Sequence, residues 1–264
     1  MDKFMRNRGS DTEPDKSIEE GPTSVGAFLE TLRTVVIAVL IALGVRTFAY
    51  EPFNIPSGSM EPTLLIGDYL FVSKLSYGYS RYSIPFSPNL FDGRVFFTEP
   101  EVGDVAVFRT PLDVKTDYIK RIVGLPGDRI EVREGVLHIN GEPVKRERLL
   151  PSELNEIDYP SASGAVYIET LPNGRTHLIH EQLLDRGPLD DWGPKTVLPG
   201  HLFAMGDNRD NSQDSRSNVG QIPFENLVGR ADVLFFSHDG GSAWWEFWRW
   251  PGAIRFGRIG DVIE

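Results

Sequence analysis

Apolar residues along this chain fall into one dense run, followed by a series of short stretches separated by turns. The run is Thr34–Val45, twelve residues without a charge between Arg33 and Arg46. As a helix it is roughly 18 Å long, short of the ~30 Å hydrocarbon layer of a bilayer. Counting Leu32 and extending through Thr47–Tyr50 brings a closer match, with Arg46 snorkelling toward the headgroups. The competing reading is the apolar region of a cleaved signal peptide, for which this length is typical. The small-x-small site Ala42-Leu43-Gly44 lies inside the run rather than after it, which favours a retained transmembrane anchor, residues 28–50. Lys3, Arg6, Arg8, Lys16 and Arg33 precede the run, and residues 51–70 contain neither lysine nor arginine. The positive-inside rule then puts a polar tail, residues 1–27, in the cytoplasm and everything after Tyr50 across the membrane.

Beyond the anchor the pattern is that of strands. Asp68–Ser73 and Asp104–Arg109 are rich in β-branched and aromatic residues. Residues 76–100 repeat Tyr, Phe, Pro and Gly and read as a long hairpin or wide loop. Asp117–Val123 predicts another strand, closed by the turn Leu125–Asp128. Arg129–Val132 and Val136–Ile139 suggest a hairpin, with Asn140-Gly141 a further turn signal. Residues 142–198 are charged, irregular and turn-rich, as expected of an inserted subdomain. Apolar character returns at Leu202–Met205, and Val228–Phe236 is the last clear strand. Ala243–Trp250 holds four of the five tryptophans. It fits a membrane–water interface and a capped core edge equally well.

Composition narrows the partners. The 264 residues are 40% hydrophobic, enough for a real core. The 26 glycines and 19 prolines agree with short strands joined by turns. A net charge of −11 argues against nucleic acid, which needs a basic surface. With no cysteine there is no disulfide, thiol nucleophile or thiolate metal site.

Three segments carry candidate chemistry: Ser57-Gly58-Ser59-Met60, Tyr118-Ile119-Lys120-Arg121, and Gly206–Arg216. Pro56 and Pro62 bracket the first, giving a stiff loop that can hold a hydroxyl out of regular hydrogen bonding. Serine is a poor nucleophile until a neighbour takes its proton. Lysine can do so if burial lowers its pKa from ~10.4 toward neutrality. Lys120 lies in an apolar strand context, although a lone strand lysine is most often a solvated surface residue. Gly206–Arg216 mixes Asp, Asn, Ser and Arg, as a structural knot of ion pairs and Asx turns would. Its spacing fails as a calcium loop, because Gln213 occupies the glycine position and Val219 the twelfth. Gly-x-Ser-x-Gly and Ser-x-x-Lys are absent, and His180-Glu-Gln-Leu-Leu184 lacks the second histidine of a zinc helix. No cofactor or metal is expected.

In order, and after an N-terminal anchor, these segments resemble the bacterial type I signal peptidases, the membrane-bound Ser/Lys proteases. Pro56–Leu64, Gly103–Phe108, Tyr118–Asp128 and Gly206–Arg216 match the family boxes; residues 133–198 carry little of the likeness. The resemblance implies Ser59 as nucleophile and Lys120 as general base, with Ser57 joining the Ser59 backbone N–H in an oxyanion hole. Ser212 would orient the Lys120 amine. Asp207, Arg121, Asp214 and Arg216 would form a salt-bridged support, with Met60 packed beside the nucleophile. Phe53, Ile55, Pro56 and Ile119 would line shallow pockets for small side chains. The implied architecture is mainly β: a coiled antiparallel catalytic domain (51–132 and 199–264), a smaller β-rich insert (133–198) and one transmembrane helix. Implied partners are signal peptides of exported preproteins, the lipid bilayer and the translocation machinery, at a bacterial inner membrane with the catalytic domain periplasmic. A specialised pilin or conjugation-precursor peptidase and a catalytically silent binder of translocating chains are the alternatives. Well-known Gram-negative members have two spanning helices, and this sequence has one such run.

Overall fold

A computed structural model of the chain describes residues 24–84, 87–88, 91–154, 159, 163–184, 186–240 and 248–263. Residues 1–23 of the polar tail and 241–247 of the tryptophan-rich segment lie outside the described residues. The chain divides into two compact units between Ala42 and Leu43.

Most of helix α1, Ser24–Phe48, belongs to the first unit. Its stretch Gly26–Phe48 is long and apolar enough to cross a membrane, and none of its most apolar part is buried in protein. An apolar helix exposed in this way among the described residues fits a lipid surrounding better than a core.

The second unit is built on antiparallel strands. In chain order they are β1 Tyr50–Asn54, β2 Asp68–Ser73, β3 Val105–Arg109, β4 Asp117–Gly124, β5 Arg129–Arg133, β6 Val136–Ile139 and β7 Glu142–Pro143. There follow β8 Lys145–Arg148, β9 Ala165–Thr170, β10 Thr176–Glu181, β11 Trp192–Thr196, β12 His201–Met205, β13 Ile222–Pro223 and β14 Leu227–Ser237. The main sheet has seven strands in the order β1-β2-β14-β3-β4-β12-β13. Along β14 the register slips at Leu227/Gly229, Ala231/Val233 and Leu234/Phe236. Extra residues on one strand bend it and increase its twist, and the sheet curls.

The curled sheet is covered on both faces. Val105 and Val107 of β3 join a cluster with Ile55, Met60, Leu64, Leu70 and Val72. Ala106 and Phe108 of the same strand join a second, with Ile122, Ala204 and Leu227. Burial on both faces explains why β3 reads as a continuous apolar run rather than an alternating one.

Between β4 and β12 the chain leaves the main sheet and makes two smaller ones, β11-β5-β6-β7 and β10-β9-β8. The excursion is β-rich, as read. A boundary at Val132/Arg133 cuts through β5, Arg129–Arg133, which pairs with both β6 and β11. The excursion also shares a core with the main sheet: Ile130, Val132, Leu137 and Val197 pack with Val123, Phe203 and Met205.

Candidate active site

Ser59 sits in one turn of 3₁₀ helix, Gly58–Met60, closed by the Glu61 N–H on the Gly58 carbonyl at 3.2 Å. Met60 is wholly buried in the core beneath. From the other side Asn208 holds the turn, donating its backbone N–H to the Ser59 carbonyl (3.2 Å) and Nδ2 to the Gly58 carbonyl (2.9 Å). The two segments come so close at Gly206 that a β-carbon there would stand 2.5 Å from the Ser59 carbonyl oxygen and 2.2 Å from Ser212 Oγ. Only glycine fits this crossing.

Lys120 projects from β4, opposite Ala106 of β3. Its Nζ lies 2.7 Å from Ser59 Oγ and donates to the Ile119 carbonyl at 2.7 Å. The Tyr118 ring, on the same face of the strand, flanks the amine at 5.5 Å from its centroid. Lys120 is 3% exposed. Burial pushes its pKa down from 10.5 to about 8, with Asp214 and then Asp207 pulling partly the other way. A buried amine with a hydroxyl at hydrogen-bond distance is the arrangement in which lysine can act as a base.

Ser57 Oγ stands 3.5 Å from Ser59 Oγ. Among the described residues Ser212 Oγ is buried without a hydrogen-bond partner, so the bond to the Lys120 amine implied by the resemblance is not made here. The amine's second partner is the Ile119 carbonyl instead.

Behind the pair lies a buried ionic lattice. Arg121 grips Asp207 through Nε (3.0 Å) and Nη2 (2.9 Å), and its Nη1 donates to the Gly103 carbonyl at 2.7 Å. Thr63 Oγ1 donates to the same carboxylate at 2.6 Å. Burial opposes the Asp207 charge, but Arg121, His177 and Thr63 together outweigh it and hold the pKa below its usual value. Asp214 accepts from the Gly206 N–H at 3.0 Å and pairs with Arg216, whose Nη2 also donates to the Arg209 carbonyl at 2.7 Å. Asp214 is likewise held low, burial being outweighed by Arg216 and two backbone N–H groups.

Sequence reading assigned no role to Asn208, Thr63, Arg209, Glu169 or His177. Asn208 and Arg209 lie within a segment already singled out. Glu169 and His177 come from the excursion, where they face each other across β9 and β10. Arg209 meets Glu169 in two bonds, 3.0 and 2.5 Å, and His177 Nε2 lies 3.3 Å from the same carboxylate. Their only signal was the Asn173-Gly174 turn, which predicts a hairpin but not what its strands touch.

A cleft of about 630 Å³ opens over Ser59 and Lys120. Phe53, Ile55, Pro56 and Ser57 line one side and Ile119 the other. Residues 117–120 of β4 are paired to β3 on one edge only, because the β12 register covers Arg121–Gly124. The outer edge of β1 is also unpaired within the sheet.

The sequence model of the family described as signal peptidase, peptidase S26, matches residues 28–236. A signal peptidase I of Rickettsia prowazekii is 43% identical over 218 residues, 79% of each chain. That of Rickettsia typhi is 42% identical over the same length and the same shares. The crystal structure of a signal peptidase I from Enterococcus faecalis is 25% identical, with a match that covers 50% of this chain and 97% of that one and a TM-score of 0.31.

Proposed function

We propose, because this chain belongs to the peptidase S26 family of signal peptidases, that its serine peptidase chemistry runs through Ser59 as nucleophile and Lys120 as general base. Family membership makes the protein a signal-peptide-removing serine peptidase. The observation that carries the finer reading is the 2.7 Å approach of a buried, pKa-lowered Lys120 amine to Ser59 Oγ.

In the proposed cycle the neutral amine takes the Ser59 proton as Oγ attacks the scissile carbonyl. The Ser59 N–H and the Ser57 hydroxyl face the oxygen on which negative charge develops. The Lys120 ammonium then returns its proton to the leaving amine, and the mature chain departs from an acyl-enzyme. Lys120 next draws a proton from water, whose oxygen attacks the ester, and returns it to Ser59 Oγ as the acyl C–O bond breaks, so the signal peptide leaves with a free carboxylate and the enzyme is restored. The Arg121–Asp207 and Arg216–Asp214 pairs act as positioning groups, fixing β4 against the segment that pins Ser59.

The half-paired edge of β4 and the free edge of β1 flank the cleft, which suits an extended peptide added as a strand. Alternate side chains would then face Phe53, Ile55, Pro56 and Ile119, walls that leave room for small groups at every second position. This supports cleavage after small-x-small (Ala-x-Ala) sequences. We read α1 as the anchor to the bacterial inner membrane, with the N-terminus cytoplasmic and the catalytic unit periplasmic, so that tethering raises the enzyme's concentration near membrane-inserted signal peptides. The bilayer and the translocation machinery are then the surroundings in which it works. A silent binder of translocating chains would need neither Ser59 nor the buried Lys120.

The test is product mapping. Several unrelated preproteins are incubated with the full chain in lipid and the new N-termini read by mass spectrometry. Sites after small-x-small sequences in most of them support a general signal peptidase, whereas cleavage of a single pilin-like precursor would point to the specialised relative.

A further inference from the structure

Away from the cleft, at the end of β10, three carboxylates converge. Glu181, Asp190 and Asp210 each present an oxygen within 4.8 Å of the other two. Asp190 and Asp210 also brace the intervening loop, accepting from the Gly187 N–H (2.5 Å) and the Leu183 N–H (2.8 Å). That use alone would make them loop staples. Glu181 is different. It is 1% exposed, and its Oε2 is buried with no hydrogen-bond partner among the described residues. Arg146 Nη1 stands 3.9 Å from its other oxygen, beyond hydrogen-bond reach. The neighbouring Arg209 is committed to Glu169 through two bonds. A buried carboxylate oxygen with no donor is costly, and a cation would complete it.

The donor set identifies the kind of cation. All three ligands are carboxylate oxygens, the choice of hard divalent ions. Three protein carboxylates on one ion suit Ca²⁺, which takes six to eight oxygens in flexible geometry, better than Mg²⁺, which keeps several waters and is usually held by one or two carboxylates. The remaining positions of a six- to eight-coordinate ion would be filled by water or loop carbonyls.

We infer that Glu181, Asp190 and Asp210 form a binding site for one Ca²⁺-class ion. The ion ties the loop after β10 to the segment in which Arg209 and Asn208 precede Asp210. Since Asn208 holds the Ser59 turn, occupancy stiffens the wall behind the nucleophile without touching the reacting atoms.

The experiment uses the full chain in detergent, stripped with a chelator, and adds CaCl₂ or MgCl₂ alone. Calorimetry should read one Ca²⁺ per chain, with Mg²⁺ weaker. The melting temperature should rise by roughly 5 °C at about a hundred times the dissociation constant. Glu181→Gln keeps the side-chain volume but cannot become an anionic ligand, so it should fold and melt close to the stripped wild type, yet lose the calcium response. Asp190→Asn supplies a second test of the same loss. No heat and no melting shift in millimolar calcium would overturn the proposal, as would an undiminished response in both variants, which would assign the ion to another place. Either result would leave the Ser59–Lys120 reading untouched, because neither measurement uses activity.

Discussion

The carbonyl oxygen of Ser59 lies 2.5 Å from where a β-carbon on Gly206 would stand. The nucleophile's turn and the Asp/Asn-rich segment are therefore in backbone-to-backbone contact, with Asn208 bridging them. Gly206→Ala must push the two apart. It should cost about 1–3 kcal/mol of stability, the usual cost of forcing extra atoms into a packed site, and a larger share of activity. Thermal unfolding and preprotein cleavage together check this; a fully active Gly206→Ala would mean that the crossing does not set the position of Ser59.

The lowered Lys120 pKa has consequences with a definite sign. The base must be neutral, so with a pKa of about 8 only ~1% of the enzyme is competent at pH 6 and ~90% at pH 9. The kcat/KM for cleavage should climb roughly tenfold per pH unit below 8 and then level off.

The same shift affects folding. Below about pH 8 both folded and unfolded chains carry the Lys120 proton. Between there and 10.5 only the unfolded chain does, so stability rises with pH across that window. The accumulated cost below it is roughly 3 kcal/mol. Lys120→Met removes that cost and should melt above wild type at pH 7. Equal melting temperatures would show that the ammonium is better solvated than its burial suggests.

Asp207 and Arg121 are each 1% exposed at the side chain. Asp207→Asn leaves a guanidinium buried without its counter-charge, so a loss of about 3–5 kcal/mol is expected. Denaturant unfolding would read it, and a loss below 1 kcal/mol would imply that water reaches Arg121.

Ser212 offers a sharper separation. Its hydroxyl has no partner here, so Ser212→Ala should leave the melting temperature unchanged or slightly raised. If the hydroxyl takes hold of the Lys120 amine only during the reaction, kcat falls at least tenfold while the fold is untouched. An unchanged kcat would remove Ser212 from the mechanism.

The chemistry was more legible in the sequence than the packing that supports it. Ser59, Lys120 and the 206–216 segment lie in short boxes whose residue order is itself the signal, and strands such as Asp68–Ser73 announce themselves by composition. Glu169 and His177 do not. Each is an ordinary strand residue until β9 and β10 pair and fold against Arg209, 40 residues beyond Glu169. The pairing of β5 with β11 is hidden for a similar reason, since the stretch around Arg129–Val132 shows only its local hairpin with β6. Non-local pairing leaves no mark on a single stretch of chain.

The most direct test of the central claim is cleavage of a purified preprotein by wild type, Ser59→Ala and Lys120→Met in lipid, each first shown to be folded by its melting curve. The account predicts sharp cleavage by wild type and a loss of ~10³-fold or more in both variants. Activity surviving in folded Lys120→Met would contradict it, because a base other than Lys120 would then be taking the proton from Ser59.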